Sequence, residues 1–398
     1  MSTIAPESPK TAATTAAPTP PFGVNEMRLS GREWLAAVAI VLLCTTLLPR
    51  IWKRFEPLDA GPDYRIPYVL SKDYWLYQRR LEQLSNPDRI PILGDSVVWG
   101  EYVLPDGTLS HFLNQQAAAS ERFVNCGVNG LFPLAMEGLV EDYSATLRNR
   151  KVIVQCNLLW LSSPKADLSA GEEESFNHSR LVPQFAMHIP CYKADANERL
   201  SAVIERHVNY FSWTTHLQDA YYDQRSLAGW TLEEDGSEPP HYPNAWRNPL
   251  APLAQGIPGE PQPDPQRGPA SPRHRAWNSA GVETTHFEWV DADHSLQWQA
   301  FRRVIGVLRG RGNDVLVLLG PFNEHMIAED QREEYRRLRD RIADGLRRQQ
   351  VDLIVPELLP TDLYADASHP LTQGYALFAQ RLSENPHFRQ WLAVRSPH

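Results

Sequence analysis

Residues 92–103 of this chain read ILGDSVVWGEYV, which puts Gly94-Asp95-Ser96 at the end of a short apolar run. A serine hydroxyl attacks an acyl carbon poorly unless a base takes its proton and donors stabilise the oxyanion that forms. A base is available far downstream, in Asp366-Ala367-Ser368-His369-Pro370. A carboxylate three residues before an imidazole can fix one tautomer and leave the other ring nitrogen to face a serine. Each fragment also has a plainer reading. Gly-Asp-Ser occurs by chance in roughly one chain in ten of this length, and Asp366 could cap a turn ahead of Pro370 for backbone reasons alone. The elements that carry the two fragments must decide between these readings.

From residue 88 onward, short apolar runs alternate with helical patterns. RIPILG (89–94), RFVNCG (122–127), KVIVQCN (151–157), DVLVLLG (314–320) and VDLIVP (351–356) read as strands. Helical patterns fall near 108–119, 133–147, 296–312 and 329–349, and a last one begins near Leu371. Apolar strands separated by helices predict an α/β fold, with a central parallel sheet of about five strands covered on both faces. In such sheets the ligand site lies beyond the carboxyl ends of the strands. Asp95 and Ser96 follow the first strand, NCGVNG (125–130) overlaps and follows the second, and Asn157 ends the third. GPFNEH (320–325) follows the fourth, and Asp366 and His369 come after the fifth. Every polar candidate is thus expected on one edge of the sheet.

On these blocks, over roughly residues 88–390, the chain resembles the SGNH (GDSL-like) hydrolase superfamily of serine esterases and acyltransferases. The resemblance implies a three-layer flavodoxin-like sandwich and a catalytic triad of Ser96, His369 and Asp366. It also implies an oxyanion hole from the backbone of Ser96, the backbone of Gly130 (the last glycine of NCGVNG) and an asparagine side chain. The third block departs from the family pattern, which usually reads Gly-x-Asn-Asp. Here the stretch is VIVQCNLLWL, with no glycine before Asn157 and no aspartate after it. Asn157 is the expected donor, with Asn129 and Asn323 as alternatives. The implied chemistry passes through an acyl-Ser96 intermediate and ends in water or a sugar hydroxyl, on an acylated cell-envelope polysaccharide or a lipid. The altered third block leaves an alternative, a binding or scaffold protein of the envelope that kept the fold and lost the chemistry.

The rest of the chain bounds the setting. A net charge of −9 and the lack of a basic stripe argue against a nucleic-acid partner. No phosphate-cradling glycine loop or tight metal-ligand spacing appears; His178, His188 and His207 are scattered, so no cofactor or metal is expected. Four cysteines make no disulfide framework, and Cys126 and Cys156 read as small buried groups. His325 reads as a loop residue bordering the site. Trp99 could wall a subsite or pack in the core, and its position in the sequence does not choose. Residues 1–32 are rich in Thr, Ala and Pro and read as a disordered tail. Residues 33–54 read as an uncleaved transmembrane anchor, because Trp34 to Pro49 carries no charge and no Ala-x-Ala site follows. Arg28 and Arg32 precede the span and Arg50, Lys53 and Arg54 follow it, so the basic count favours a cytoplasmic C-terminal side by one residue. The resemblance implies the opposite, an extracytoplasmic domain. Residues 55–87 read as a connecting segment, and 88–398 as the α/β domain with a Pro-rich insertion over 233–275.

Overall fold

The computed structural model describes residues 29–394, apart from Pro57, Asp59, Pro62, Ser85, 118–120, 223–274 and Ala280. The tail expected over 1–32 therefore lies outside the described residues save for its last four. The Pro-rich insertion expected over 233–275 lies outside them save for Arg275. The chain divides into two units, Met1–Leu48 and Pro49–His398. Helix α1 (Gly31–Phe55) has 25 residues, and its most apolar stretch has a mean hydropathy of 2.0. At 1.5 Å per residue it is about 37 Å long against about 30 Å of bilayer hydrocarbon, so it is long and apolar enough to cross a membrane.

The second unit is built on five parallel strands: β1 (Ile90–Gly94), β2 (Phe123–Gly127), β3 (Lys151–Cys156), β4 (Asp314–Leu319) and β5 (Asp352–Ile354). They lie in the order β2-β1-β3-β4-β5, the flavodoxin-like order, in which the chain changes direction across the sheet between β1 and β3. The strands are apolar almost throughout because both faces are covered. Leu93, Val124, Val154, Val317 and Leu319 face one core, shared with helices α2 (Tyr74–Glu82), α5 (Pro133–Tyr143), α8 (Leu296–Gly310) and α9 (Arg332–Arg348). Ile92, Phe123, Ile153, Leu316 and Leu318 face the other core, shared with α3 (Ser96–Trp99), α4 (Leu109–Gln116), α10 (Thr372–Glu384) and α11 (Pro386–Ala393). The expected strands and helices are present, each with slightly shorter ends.

Two parts of the domain lie outside the expected pattern. The segment 55–87, read as a connection, contains α2, whose Trp75, Leu76, Tyr77 and Leu81 are all buried. Its four polar and charged residues, Gln78, Arg79, Arg80 and Glu82, mask that face in the sequence. Asp73 caps α2 by accepting from Leu76 N at 2.9 Å. Two further helices, α6 (Ala196–His207) and α7 (Asn209–Tyr221), follow the third strand. His216 of α7 is fully buried between Asp73 (2.6 Å) and Glu56 (2.7 Å), and Glu56 also accepts from Tyr221 Oη at 2.6 Å and pairs with Arg79. Burial works against the charged imidazole, but the two carboxylates outweigh it and raise His216 to about 9. Glu56, Asp73 and the apolar side chains of α2 thus belong to the domain's interior.

Candidate active site

The turn that carries Ser96 is fixed from several sides. Gly94 ends β1 where a Cβ would come within 2.4 Å of Val98 Cγ2, and Gly127 of β2 lies where a Cβ would come within 2.3 Å of Trp99 N. Both glycines are required for this close approach. Three side chains tie down the carbonyls of α3 and of the residue after it. Tyr375 Oη donates to Val97 O at 2.6 Å, Asn125 Nδ2 to Val98 O at 2.8 Å, and Arg65 to Trp99 O at 3.2 Å and to Gly100 O. Trp99 is a core residue: its indole N–H donates to Ile66 O at 2.7 Å, and the Arg65 guanidinium lies 4.2 Å from its ring centre.

Asp95 is the buried junction of the site. Its Oδ1 accepts from Val97 N at 2.9 Å, and its Oδ2 accepts from Asn157 Nδ2 at 2.9 Å and Trp160 Nε1 at 3.0 Å. Burial raises its carboxyl above the usual range despite these donors. Asp95 therefore joins the end of β1 to the turn after β3, across the point where the sheet order reverses. Replacing Asp95 with Ala leaves three buried donors without an acceptor while relieving one buried charge. At about 1–3 kcal/mol for each orphaned group, less the relief, we expect a loss of about 2–4 kcal/mol in chemical denaturation. Asp95→Asn, which keeps one acceptor oxygen, is expected to lose less.

Ser96 Oγ and His369 Nε2 are 2.7 Å apart although 273 positions separate them in the chain. On the far side of the ring, His369 Nδ1–H donates to Asp366, with both carboxylate oxygens at 2.8 Å. Asp366 Oδ1 also accepts from the backbone N–H groups of Ser368 (2.9 Å) and His369 (3.0 Å). Asn323 holds this loop in place, its side chain donating to Asp366 O at 3.0 Å and its backbone N–H to Ala367 O at 2.8 Å. Ser96 is half-buried and His369 is 6 % exposed. Burial works against the charged imidazole, but Asp366, then Glu101 and Asp95, outweigh it and raise His369 to about 9. The same pairing, opposed by burial, lowers Asp366 to about 2. No family model matches the chain, and no curated protein matches it.

The three asparagines weighed in the sequence have different surroundings. Asn323 is committed to the Asp366 loop, as above. Asn157 is buried, with one amide N–H on Asp95 and its carbonyl accepting from Leu159 N at 3.0 Å. An amide carries two N–H bonds, so a second donor remains on Asn157. Asn129 Nδ2 is buried without a partner among the described residues. Its backbone carbonyl accepts from His178 Nε2–H at 2.8 Å, and His178 Nδ1 accepts from Tyr74 Oη at 3.0 Å. Burial lowers His178 to about 4, which keeps it neutral in that arrangement. Gly130 follows with φ +70°, and a Cβ there would come within 2.4 Å of Asn177 Nδ2. Gly130, Phe132, Leu159, Leu168 and Phe176 line part of a cavity of about 460 Å³ beside this loop, a size suited to a small-molecule group.

Several of these residues carried no sequence signal. Trp160, His178, Arg65 and Tyr375 act through contacts between distant segments, and neither motif nor spacing marks them. Glu101 and Tyr102 lie just beyond α3 and close on His369, at 3.6 Å from Nε2 for Glu101 Oε2 and 5.1 Å between ring centres for Tyr102. His325 Nε2–H donates to Leu359 O at 3.2 Å and so serves a loop. Cys126 and Cys156 are buried free thiols, with burial raising Cys126 to about 11.

Proposed function

We propose that this chain is a membrane-anchored, serine-dependent ester hydrolase or O-acyltransferase of the SGNH type. The observation that carries the reading is the continuous chain of hydrogen bonds from Ser96 Oγ through the His369 ring to Asp366. In this reaction Ser96 Oγ bonds to the acyl carbon while His369 Nε2 takes its proton. The ester C–O bond then breaks, and His369 returns the proton to the leaving alcohol oxygen. Water or an acceptor hydroxyl attacks acyl-Ser96, losing its proton to His369; the acyl–Oγ bond then breaks and His369 returns that proton to Ser96 Oγ. Asp366 holds the ring in one tautomer and stabilises the imidazolium formed at each stage. The backbone N–H groups of Ser96 and Gly130 and an asparagine amide supply the oxyanion donors. The substrate class is an acyl ester of an envelope polysaccharide or a lipid, and α1 would hold the domain at a membrane, extracytoplasmic in this reading. The test is covalent labelling of the full-length protein in detergent by a fluorophosphonate. We expect one label per chain, absent in Ser96→Ala; equal labelling of that variant overturns the reading.

A second reading, an envelope binding or scaffold protein, draws on the commitment of the Asn157 amide to Asp95. Two variants separate the readings and assign the side-chain donor. Loss of one oxyanion donor lowers kcat by about 10²–10³-fold. We expect that drop in Asn157→Ala together with a lower melting temperature, because Asp95 loses a partner. Asn129→Ala, which breaks no side-chain bond among the described residues, is expected to melt as the parent does. A 10²-fold loss there instead would move the donor role to Asn129.

A further inference from the structure

His369 lies between two carboxylates and not one. Asp366 engages Nδ1, and Glu101 stands at 3.6 Å from Nε2, the nitrogen that faces Ser96. Glu101 is placed by the turn after α3, where its N–H donates to Ser96 O at 3.1 Å, so its position is coupled to that of the nucleophile. Its side chain is 22 % exposed, open to solvent on one side and against the imidazole on the other. The Tyr102 ring meets the His369 ring edge-on at an interplanar angle of 77°. Asp95 adds a third negative group from the end of β1, and Tyr375 of α10 lies within electrostatic reach of these carboxylates. Arg65, on the carbonyls of Trp99 and Gly100, is the cation of this neighbourhood that also acts on Tyr375.

We propose that Glu101 is a positioning residue of the site, a second carboxylate that holds the His369 ring in its imidazolium form against Ser96 and so sets the pH range in which Ser96 can be activated. The proposal rests on reading His369 as the base of the reaction. A carboxylate on the Nε2 side stabilises the charge that the ring carries once it has taken the serine proton, but it also keeps the resting ring protonated at neutral pH. The resting site is therefore restrained, and it gains activity where the ring can release its proton. Burial of His369 strengthens the effect, since water screens such a pair poorly there. An opposite charge within about 4–6 Å moves a titration by about 1–3 pH units.

The experiment titrates His369 by NMR in full-length protein carrying labelled histidine, with the signal assigned by its loss in His369→Gln. Glu101→Gln, of equal size and without charge, is expected to move the His369 titration down by about one pH unit or more. Glu101→Asp, which keeps the charge, is expected to restore most of it. The acidic limb of ester hydrolysis should move by the same amount, while melting temperature at pH 6 bounds any loss of folding. An unmoved titration in folded Glu101→Gln overturns the proposal, even if Ser96-dependent hydrolysis is present. A moved titration without hydrolysis in any variant supports the electrostatic role of Glu101 and overturns the hydrolase reading instead.

Discussion

Ester hydrolysis by the full-length protein is expected to fall about 10⁴–10⁶-fold in kcat/KM when either Ser96 or His369 is replaced by Ala, and no further when both are. In the proposed reaction the two groups act as one unit, because the hydroxyl is a nucleophile only while His369 Nε2, 2.7 Å away, can take its proton. Removing either one removes the whole advantage, and the residual rate belongs to the oxyanion donors. Multiplicative losses would instead mean two independent contributions and a different base. Asp366→Asn makes a finer cut. The amide oxygen can still accept from Ser368 N and His369 N, so the loop keeps its shape, but that one oxygen must now serve Nδ1–H as well, without the carboxylate charge. The tautomer is then held less firmly and the imidazolium loses its counter-charge, for a loss of up to about 10⁴-fold in kcat and a lower melting temperature at neutral pH. Initial rates on a p-nitrophenyl ester, with thermal melts beside them, read all four variants.

Activity is expected to rise about tenfold per pH unit across the neutral range and to level above pH 9, at a plateau about a hundredfold above its value at pH 7. The sign follows from the direction of the His369 shift. The base must be neutral, and its pairing with Asp366 and Glu101 raises it from 6.5 to about 9, so the active fraction grows with pH over that interval. An ordinary histidine would place the rise between about 6 and 7. Stability moves the opposite way. A histidine raised on folding contributes stability that is fully present below 6.5 and is lost as pH passes 9. His216, raised to about 9 between Asp73 and Glu56, adds a contribution of the same sign. Asp366, held low, contributes stability that is present above 3.8 and lost as pH falls toward 2. The melting temperature is therefore expected to decline between pH 6.5 and 9 while kcat/KM climbs. A flat rate profile from pH 6 to 9 would mean that His369 is not the base.

The sheet was legible because its strands are short, apolar and bounded, and because helices of regular period lie between them. That pattern reports burial on both faces, which each residue records locally. The sheet edge followed directly: a parallel strand fixes which of its ends meets the others, so Ser96, Gly130, Asn157, Asn323 and His369 had to gather on one side. Helix α1, long and apolar enough to cross a membrane, was equally plain, since sixteen residues without charge need no partner to declare themselves. By contrast, α2 was hidden: its Arg79 and Arg80 look like surface residues until Glu56 and the backbone carbonyls of Ala60 and Gly61 are seen to meet them.

By itself, then, the sequence determined the α/β order, the strand ends and the pairing of Ser96 with Asp366 and His369 as one candidate constellation. Those features depend on period, on apolar runs and on residues within a few positions of one another. The tertiary structure alone decided the environment of that constellation. It set Glu101 at 3.6 Å from His369, gave the Asn157 amide to Asp95, left Asn129 Nδ2 without a partner among the described residues, and packed Trp99 into the core. Each is a matter of a few ångströms between segments joined only through the fold. Hydrogen bonds and charge pairs weaken steeply over such distances, and no spacing along a chain encodes them.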